Sequence, residues 1–241
     1  MKLSEIYHFL DKISPFDTQE SWDNSGLLLG NLNDEISKVY VSLDVDKDLL
    51  LNAEENSLFI THHPLIFKGL KHLSGEKYPN ELITLMIKKN IALICMHTNY
   101  DLSHLNTYFV EEILGFKITY RDNFIAYVDM NIDFWDLVSC IKQSLKLDVI
   151  KTSFCGKTQI QRIGICTGSG GDLICNVDAD CFISGDFKYH QAFECLHNNL
   201  NLIDVGHFES ERYFANSLAK ELQNLSLKAI ISVSKNPFQY F

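Results

Sequence analysis

The chain has 241 residues, of which 46% are hydrophobic and 22% charged, and its formal net charge is −10. This composition is typical of a folded globular protein. The acidic balance and the lack of a basic stripe argue against a nucleic-acid partner, because a phosphate backbone is bound by clustered Lys and Arg. No apolar run approaches the ~20 residues of a membrane span, so no membrane association is expected.

The N-terminus and the cysteines indicate a cytoplasmic protein. Glu5 and Asp11 interrupt the first residues, so no signal peptide is expected. The seven cysteines are odd in number and none forms a C-x-x-C pair, which argues against a disulfide framework and a zinc finger. Most lie in apolar runs, as small buried residues do.

The first half of the chain alternates between helical and strand periodicity. Apolar residues at helical spacing predict a helix over 3–13, with Ser4 as its N-cap. The later apolar runs predict strands at 39–45, 57–61 and 91–96 and helices at 47–56, 79–89 and 103–114.

The alternation of strands and helices continues in the second half of the chain. It predicts strands at 124–128, 148–154, 160–166, 181–184, 201–205 and 229–233, and helices at 132–145, 187–197 and 208–223. Short apolar strands alternating with helices are typical of mainly parallel sheets covered by helices. Nine strands are many for one compact sheet. We therefore predict an α/β fold of two interlinked lobes, 1–122 completed by 226–241, and 123–225.

Histidines follow three of the predicted strands. His62 and His63 come directly after one apolar run, and His97 and His207 each follow another. Open α/β sheets place their ligand sites at the carboxyl ends of strands. Because Pro64 favours an extended or turn conformation at His63, both adjacent histidines can face one site. A lone histidine there is usually an ordinary residue, but three separate strand ends indicate a shared site.

Two carboxylates accompany these histidines. Asp101 lies four residues after His97, and Glu211 lies four residues after His207, where a helix is predicted to start. Residues at i and i+4 share a helix face, so His207 and Glu211 can bind the same ion or adjacent ions.

The predicted metal ligands are His62, His63, Asp101, His207 and Glu211. Nitrogen and oxygen ligands of this kind suit zinc, iron, manganese or nickel. Five ligands exceed what one tetrahedral zinc needs and fit two ions about 3.5–4 Å apart. We therefore predict a site for two divalent transition-metal ions. The remaining histidines, including His190, are interpreted as surface or supporting residues.

Three further features admit two interpretations each. The glycine-rich segment CTGSGGD (166–172) could hold a phosphate with its backbone N–H groups, but a tight turn of small residues is the commoner case. WDNSGLLLG (22–30) has turn composition, and Trp22 is interpreted as a packing residue between lobes or subunits. Lys68, Lys71, Lys188 and Arg212 could meet an anionic substrate or be ordinary solvated residues.

Five segments together resemble a known family: WDNSGLLLG (22–30), THHPLIFKGLK (61–71), HTNYD (97–101), SGDFKYH (184–190) and GHFESER (206–212). They are similar, in order and across nearly the whole chain, to the GTP cyclohydrolase 1 type 2 family, also described as Ngg-interacting-factor-like di-iron proteins. The resemblance implies a two-lobed α/β subunit, a dinuclear metal site at the lobe interface and a toroidal homohexamer. It also implies that Glu211 bridges the two ions, and that His97 lies near the metals, in a supporting or substrate-facing position. The chain lacks the large insertion between the lobes of some longer members, so no role of that insertion is carried over.

The resemblance also implies a function. It predicts a hydrolase that converts GTP and water to dihydroneopterin triphosphate and formate, with His97 as a proton shuttle. The expected partner is thus an anionic small molecule, GTP, which two bound cations would accommodate despite the acidic chain. Two alternatives remain open. One is a metal-dependent phosphoester or amide hydrolase acting on another small metabolite, and the other is a non-enzymatic metal-binding or regulatory scaffold.

Overall fold

A computed structural model describes residues 1–225 and 227–239 of the chain. Contacts divide it into two compact units: the first comprises 1–103 and 214–241, and the second comprises 104–213. Within the described ranges, no helix is long and apolar enough to cross a membrane.

The first unit contains one five-stranded sheet. Its strands, in the spatial order β1-β4-β3-β2-β11, are β1 (Gly26–Leu29), β4 (Ala92–Cys95), β3 (Leu58–Thr61), β2 (Val39–Ser42) and β11 (Ala229–Ile231). All neighbours are parallel except β1, which runs antiparallel to β4. The helices are α1 (Leu3–Ile13), α2 (Lys47–Asn52), α3 (Asn80–Lys88), α4 (Thr98–Tyr100) and α8 (Phe214–Leu222), with a 3-10 turn at Phe16–Thr18 and another at Gln223–Leu225.

The central strands of this sheet are buried along their whole length. Every residue of β3 and β4 is buried, as expected for parallel strands covered on both faces. Phe59 and Leu93 from these strands pack with Leu50, Ile83 and Met86 from α2 and α3 in one apolar cluster. The histidines that follow β3 and β4 are therefore attached to strands that are packed in the core.

The second unit contains a six-stranded mixed sheet. Its spatial order is β5-β6-β8-β9-β10-β7, formed by β5 (Tyr120–Asp122), β6 (Ile125–Asp133), β8 (Gln159–Ser169), β9 (Cys181–Gly185), β10 (Asn201–Asp204) and β7 (Lys151–Ser153). The inner strands β8, β9 and β10 are parallel, whereas β5, β6 and β7 join antiparallel. The helices are α5 (Phe134–Leu145), α6 (Tyr189–His197) and α7 (His207–Glu211), with a 3-10 turn at Gly171–Asn176.

Each face of this second sheet has its own apolar cluster. On one face Phe134 and Ile141 of α5 pack with Ile163 and Ile183 of the central strands. On the other, Phe182 packs with residues from α6 and the 3-10 turn. The α/β class predicted from the alternation of strands and helices is thereby confirmed.

The start of α1 differs from the prediction. Ser4 lies inside the helix, and the N-cap position is Lys2, whose side chain makes no capping bond. The first helical N–H groups, of Leu3 and Ser4, instead donate to the carbonyl oxygens of Asp34 and Leu32. A backbone loop thus satisfies the donors that a serine side chain would otherwise serve.

Four other segments also depart from the predicted elements. The helix predicted over 103–114 starts earlier, at Thr98, and becomes π-helical over Asp101–Leu105 and Tyr108–Ile113. The helix predicted over 208–223 is two helices, α7 and α8, and each belongs to a different unit. The strands β1 and β5 were not predicted from the sequence.

Candidate metal centre

Three adjacent parallel strands of the first unit end at the same edge of their sheet. Ser42 of β2 aligns with Thr61 of β3, and Thr61 aligns with Cys95 of β4. The residues that follow are therefore brought together, as is usual for ligand sites in open α/β sheets. They are Asp44 after β2, His62 and His63 after β3, and His97 after β4.

The three imidazoles of this edge form one group. His62, His63 and His97 each offer a ligand atom within 4.8 Å of those of the other two, and no ring centroids lie more than 5.7 Å apart. His62 is fully buried, and its Nε2 lies 3.5 Å from a carboxylate oxygen of Asp101. Of the predicted ligands, the first unit thus brings together His62, His63 and Asp101.

An oxygen acceptor orients each of these rings through Nδ1. The Nδ1 of His62 lies 2.9 Å from the carbonyl oxygen of Met96, and that of His63 lies 2.8 Å from a carboxylate oxygen of Asp44. The Nδ1 of His97 lies 2.7 Å from Asp23. Metal-binding histidines are typically held in this way, with one nitrogen bonded to an oxygen so that the other is directed at the ion.

Asp23 is fixed by more than one partner. Its side chain accepts hydrogen bonds from the ring of His97, from the backbone N–H and hydroxyl of Thr98, and from the N–H of Asn24. Burial opposes ionisation of this carboxyl, but these bonds and the charge of His97 outweigh it and hold the pKa of Asp23 well below its ordinary value. Asp23 is therefore a carboxylate at neutral pH, and it accepts a hydrogen bond from the ring N–H of His97.

Cys95 lies in the same region but stays a thiol. Burial, together with the charges of Asp23 and Asp101, raises the pKa of Cys95 well above its ordinary value. Its Sγ donates to the carbonyl oxygen of His62, 2.9 Å away. This agrees with the interpretation of the apolar-run cysteines as small buried residues.

The second unit repeats this arrangement at the ends of β8, β9 and β10. His207 begins α7 after β10, and its Nε2 lies 2.9 Å from Oε2 of Glu211, one turn later in the helix. The predicted i, i+4 pairing of these side chains is thus observed. The Nδ1 of His207 lies 2.8 Å from Asp186, which follows β9. Glu211 is 3% exposed.

The glycine-rich segment 166–172 lies against the side chains of His207 and Glu211. Gly168 has a φ of +67°, and a Cβ there would lie 2.1 Å from Oε1 of Glu211. A Cβ at Gly170 would meet the hydroxyl of Ser184, and one at Gly171 would meet Gln191. The glycines of CTGSGGD therefore accommodate neighbouring side chains, which supports the interpretation as a tight turn.

The sequence prediction missed the three carboxylates that orient the rings. Asp23, Asp44 and Asp186 contact His97, His63 and His207 in turn. Asp44 and Asp186 each come shortly after a buried parallel strand, which is a detectable signal. Asp23 follows no such strand, and only the geometry pairs it with a histidine 74 residues away.

Comparisons with known proteins identify the family. Residues 1–237 match the family model described as Duf34/NIF3 (NGG1p interacting factor 3). The chain belongs to the Duf34/NIF3 family. A Campylobacter jejuni relative, "GTP cyclohydrolase 1 type 2 homolog", is 65% identical over 241 residues, covering 100% of both chains. A Helicobacter pylori relative, "GTP cyclohydrolase 1 type 2", is 40% identical and covers 98% of both.

Solved structures agree with this membership. The crystal structure of a Staphylococcus aureus hypothetical protein resembles the chain with a TM-score of 0.90 at 26% identity, covering 100% of this chain and 99% of the other. The family suggested by the five sequence segments is therefore confirmed. The Duf34/NIF3 chain also contains His, Asp and Glu groups that could hold a metal ion.

Proposed function

We propose that this Duf34/NIF3 protein is a hydrolase that uses two divalent transition-metal ions, held by His62, His63 and Asp101 of the first unit and His207 and Glu211 of the second. The main support is the orientation of the histidines. All three histidines in this set have Nδ1 bonded to an oxygen, as metal-binding imidazoles do. Each unit also places a carboxylate beside an imidazole Nε2.

The donor chemistry fits such ions. Imidazole and carboxylate ligands suit iron, zinc, manganese or nickel, and none of the candidate ligand groups among the described residues includes Cys95. Two divalent ions would also stabilise the negative charge of Glu211. The residue is buried, and a buried carboxylate is stable only when it is paired or coordinated. We assign Glu211 the bridging role that the resemblance implies.

We propose GTP as the substrate and its conversion with water to dihydroneopterin triphosphate and formate, through opening of the guanine ring, as the reaction. The support is the names of two relatives that match nearly the whole chain, "GTP cyclohydrolase 1 type 2 homolog" at 65% identity and "GTP cyclohydrolase 1 type 2" at 40% identity. When bound, divalent ions lower the pKa of water and polarise the group attacked. The Nδ1–H group of His97 donates a hydrogen bond to Asp23, which leaves Nε2 to accept or deliver a proton.

The decisive experiment is product identification with metal-loaded protein. Incubation with GTP should give a product that becomes a fluorescent pterin on oxidation. GDP with free phosphate would show a phosphohydrolase instead. An unchanged nucleotide, with both metals bound, would refute the enzyme and favour a metal-binding scaffold.

Two variants separate metal binding from proton transfer. Asp101→Ala should abolish turnover and lower the metal content, with the circular dichroism spectrum retained. His97→Ala should slow turnover by about 10²-fold while both metals stay bound, because it removes a proton carrier and not an ion. Loss of metal from His97→Ala would instead make His97 a ligand, since its ring lies in the same group as His62 and His63.

We also propose that the chain forms a homohexamer, on the family resemblance alone. Closed symmetry is the usual form of soluble homo-oligomers. Light scattering at micromolar concentration should give six times the chain mass of 27.6 kDa. A stable monomer would contradict this proposal without bearing on the metal ligands.

A further inference from the structure

Two large aromatic side chains are exposed beside the histidine group of the first unit. Trp22 is 57% exposed and Phe67 is 45% exposed, and their ring centroids are 6.0 Å apart with a 59° angle between the planes. The Trp22 ring also meets His97 edge to face, with centroids 6.2 Å apart. An indole that is exposed on one side and contacts a site residue on the other is suited to receive a ligand.

The segment that carries Trp22 is held firmly in place. The neighbouring Asp23 is bonded to His97 and Thr98, and the hydroxyl of Ser25 accepts a hydrogen bond from the N–H of His97. The Asn24 amide donates to the carbonyl oxygen of Ile66, 2.5 Å away, which ties this segment to the one that carries Phe67. The two aromatic residues are thus fixed relative to His97.

Two exposed lysines follow Phe67 in the chain. Lys68 directly follows Phe67, and Lys71 lies three residues further along the same exposed segment. A planar ring placed against Trp22 would lie near the imidazole of His97, and the segment that carries Phe67 continues with two cationic side chains. A planar heteroaromatic ring that carries an anionic group matches these features.

We propose that Trp22 and Phe67 form a stacking platform for the purine ring of the substrate, with Lys68 and Lys71 meeting its phosphates. This rests on the proposed function, because it places the base next to His97 in the same site. Stacking of a base on an aromatic side chain contributes about 1–3 kcal/mol, which corresponds to roughly 5- to 150-fold in affinity. Trp22 is thereby a base-binding residue, in contrast to the packing role that its sequence context suggested.

The chain offers a direct optical test, since it has two tryptophans. Trp135→Phe leaves Trp22 as the sole indole, and Trp22→Phe leaves Trp135, which is 50% exposed in the second unit. Guanosine and GTP should quench the emission of Trp22 in a saturable manner, whereas inorganic triphosphate should not. The emission of Trp135 should respond to none of the three.

Affinity measurements complete the test. Trp22→Ala should weaken guanosine binding, measured by calorimetry, by at least about fivefold, and Trp22→Phe should restore most of it. Phe67→Ala should give a smaller loss. Blue-shifted Trp22 emission that is insensitive to both acrylamide and guanosine would overturn the platform, because it would show the ring covered by protein.

The outcomes separate this inference from the proposed reaction. Saturable guanosine quenching without any GTP turnover would leave the platform standing and refute the cyclohydrolase. GTP turnover with an unchanged KM in Trp22→Ala and no quenching would do the reverse.

Discussion

Gly168 shows how one residue can set the geometry of the candidate metal centre. Its positive φ alone favours glycine, but several glycines of the second unit share that property. What distinguishes Gly168 is contact, because an added Cβ would lie 2.1 Å from Glu211. The absence of a side chain there is therefore a requirement of the carboxylate position as well as of the turn.

This distinction can be tested with a matched pair of variants. Gly168→Ala should lower metal affinity by at least about tenfold, because it displaces Glu211. Gly115→Ala has nearly the same φ, +71°, but nothing within 4 Å of the added Cβ. It should lose about 1–2 kcal/mol of unfolding free energy from backbone strain and keep its metal affinity. Metal titration and urea unfolding of both variants give the comparison, and equal metal affinities would contradict the assigned role.

The predictability of the site also depends on the residue. His62, His63 and His207 can be proposed as ligands from the sequence because each follows an apolar strand, and strand ends meet at one sheet edge. The carboxylate that orients His97 was not found, because Asp23 is 74 residues distant in the chain. Hydrogen-bond pairing across such a separation depends on the tertiary fold, which periodicity does not report.

At the scale of elements, strands that are buried on both faces were the easiest to predict. β3 and β4 are short continuous apolar runs, and their observed ends fall within a residue or two of the predicted ones. β1 was missed because its segment begins and ends in glycines with positive φ, Gly26 and Gly30, which give it turn composition. Gly30 is needed there because a Cβ would lie 2.8 Å from that of Ala92 on the paired strand.

The two π-helical segments could not be predicted from the sequence either. The spacing of apolar residues after Ser103 fits an ordinary α-helix. The π-turn over Asp101–Leu105 changes that spacing too little to be recognised from the sequence. Such turns occur often at functional sites, and this one begins at a predicted metal ligand. The segment Tyr108–Ile113 packs Phe109 and Val110 into the core of the second unit. That packing agrees with the contact-based division of the chain, in which the second unit begins at His104.

The central strand β3 should dominate the stability of the first unit. Phe59 is fully buried and stacks on Tyr40, with ring centroids 4.9 Å apart and planes 14° from parallel. Phe59→Ala should therefore cost about 3–5 kcal/mol in unfolding free energy. Leu51→Ala in α2 is the control, since Leu51 is 55% exposed and its truncation should change stability by less than about 0.5 kcal/mol. Chemical denaturation of both variants measures this, and a loss below about 1 kcal/mol for Phe59→Ala would contradict the packing argument.

At the scale of the whole molecule, the two units present the same chemical arrangement. In each, a carboxylate follows one parallel strand and orients a histidine that follows the neighbouring strand. Asp44 and His63 form this pair in the first unit, and Asp186 and His207 form it in the second. Each unit thus contains one imidazole that a carboxylate orients through Nδ1, which is the arrangement typical of metal-binding histidines.

Whether these two groups share their ions is a question that metal content can answer. Our proposal assigns Glu211 a bridging role, so Glu211→Ala should lower the affinity for both ions, including the one held by ligands of the first unit. If each unit bound its own ion independently, the same variant would lose one ion and keep the other at full affinity. His190→Ala is the control, because its exposed ring contacts Tyr189 and lies outside the candidate ligands. Metal analysis after dialysis against a weak chelator should give about two ions per chain for the control and fewer than one for Glu211→Ala. Retention of one tightly bound ion by Glu211→Ala would refute the bridge, because the first unit would then hold its ion without Glu211.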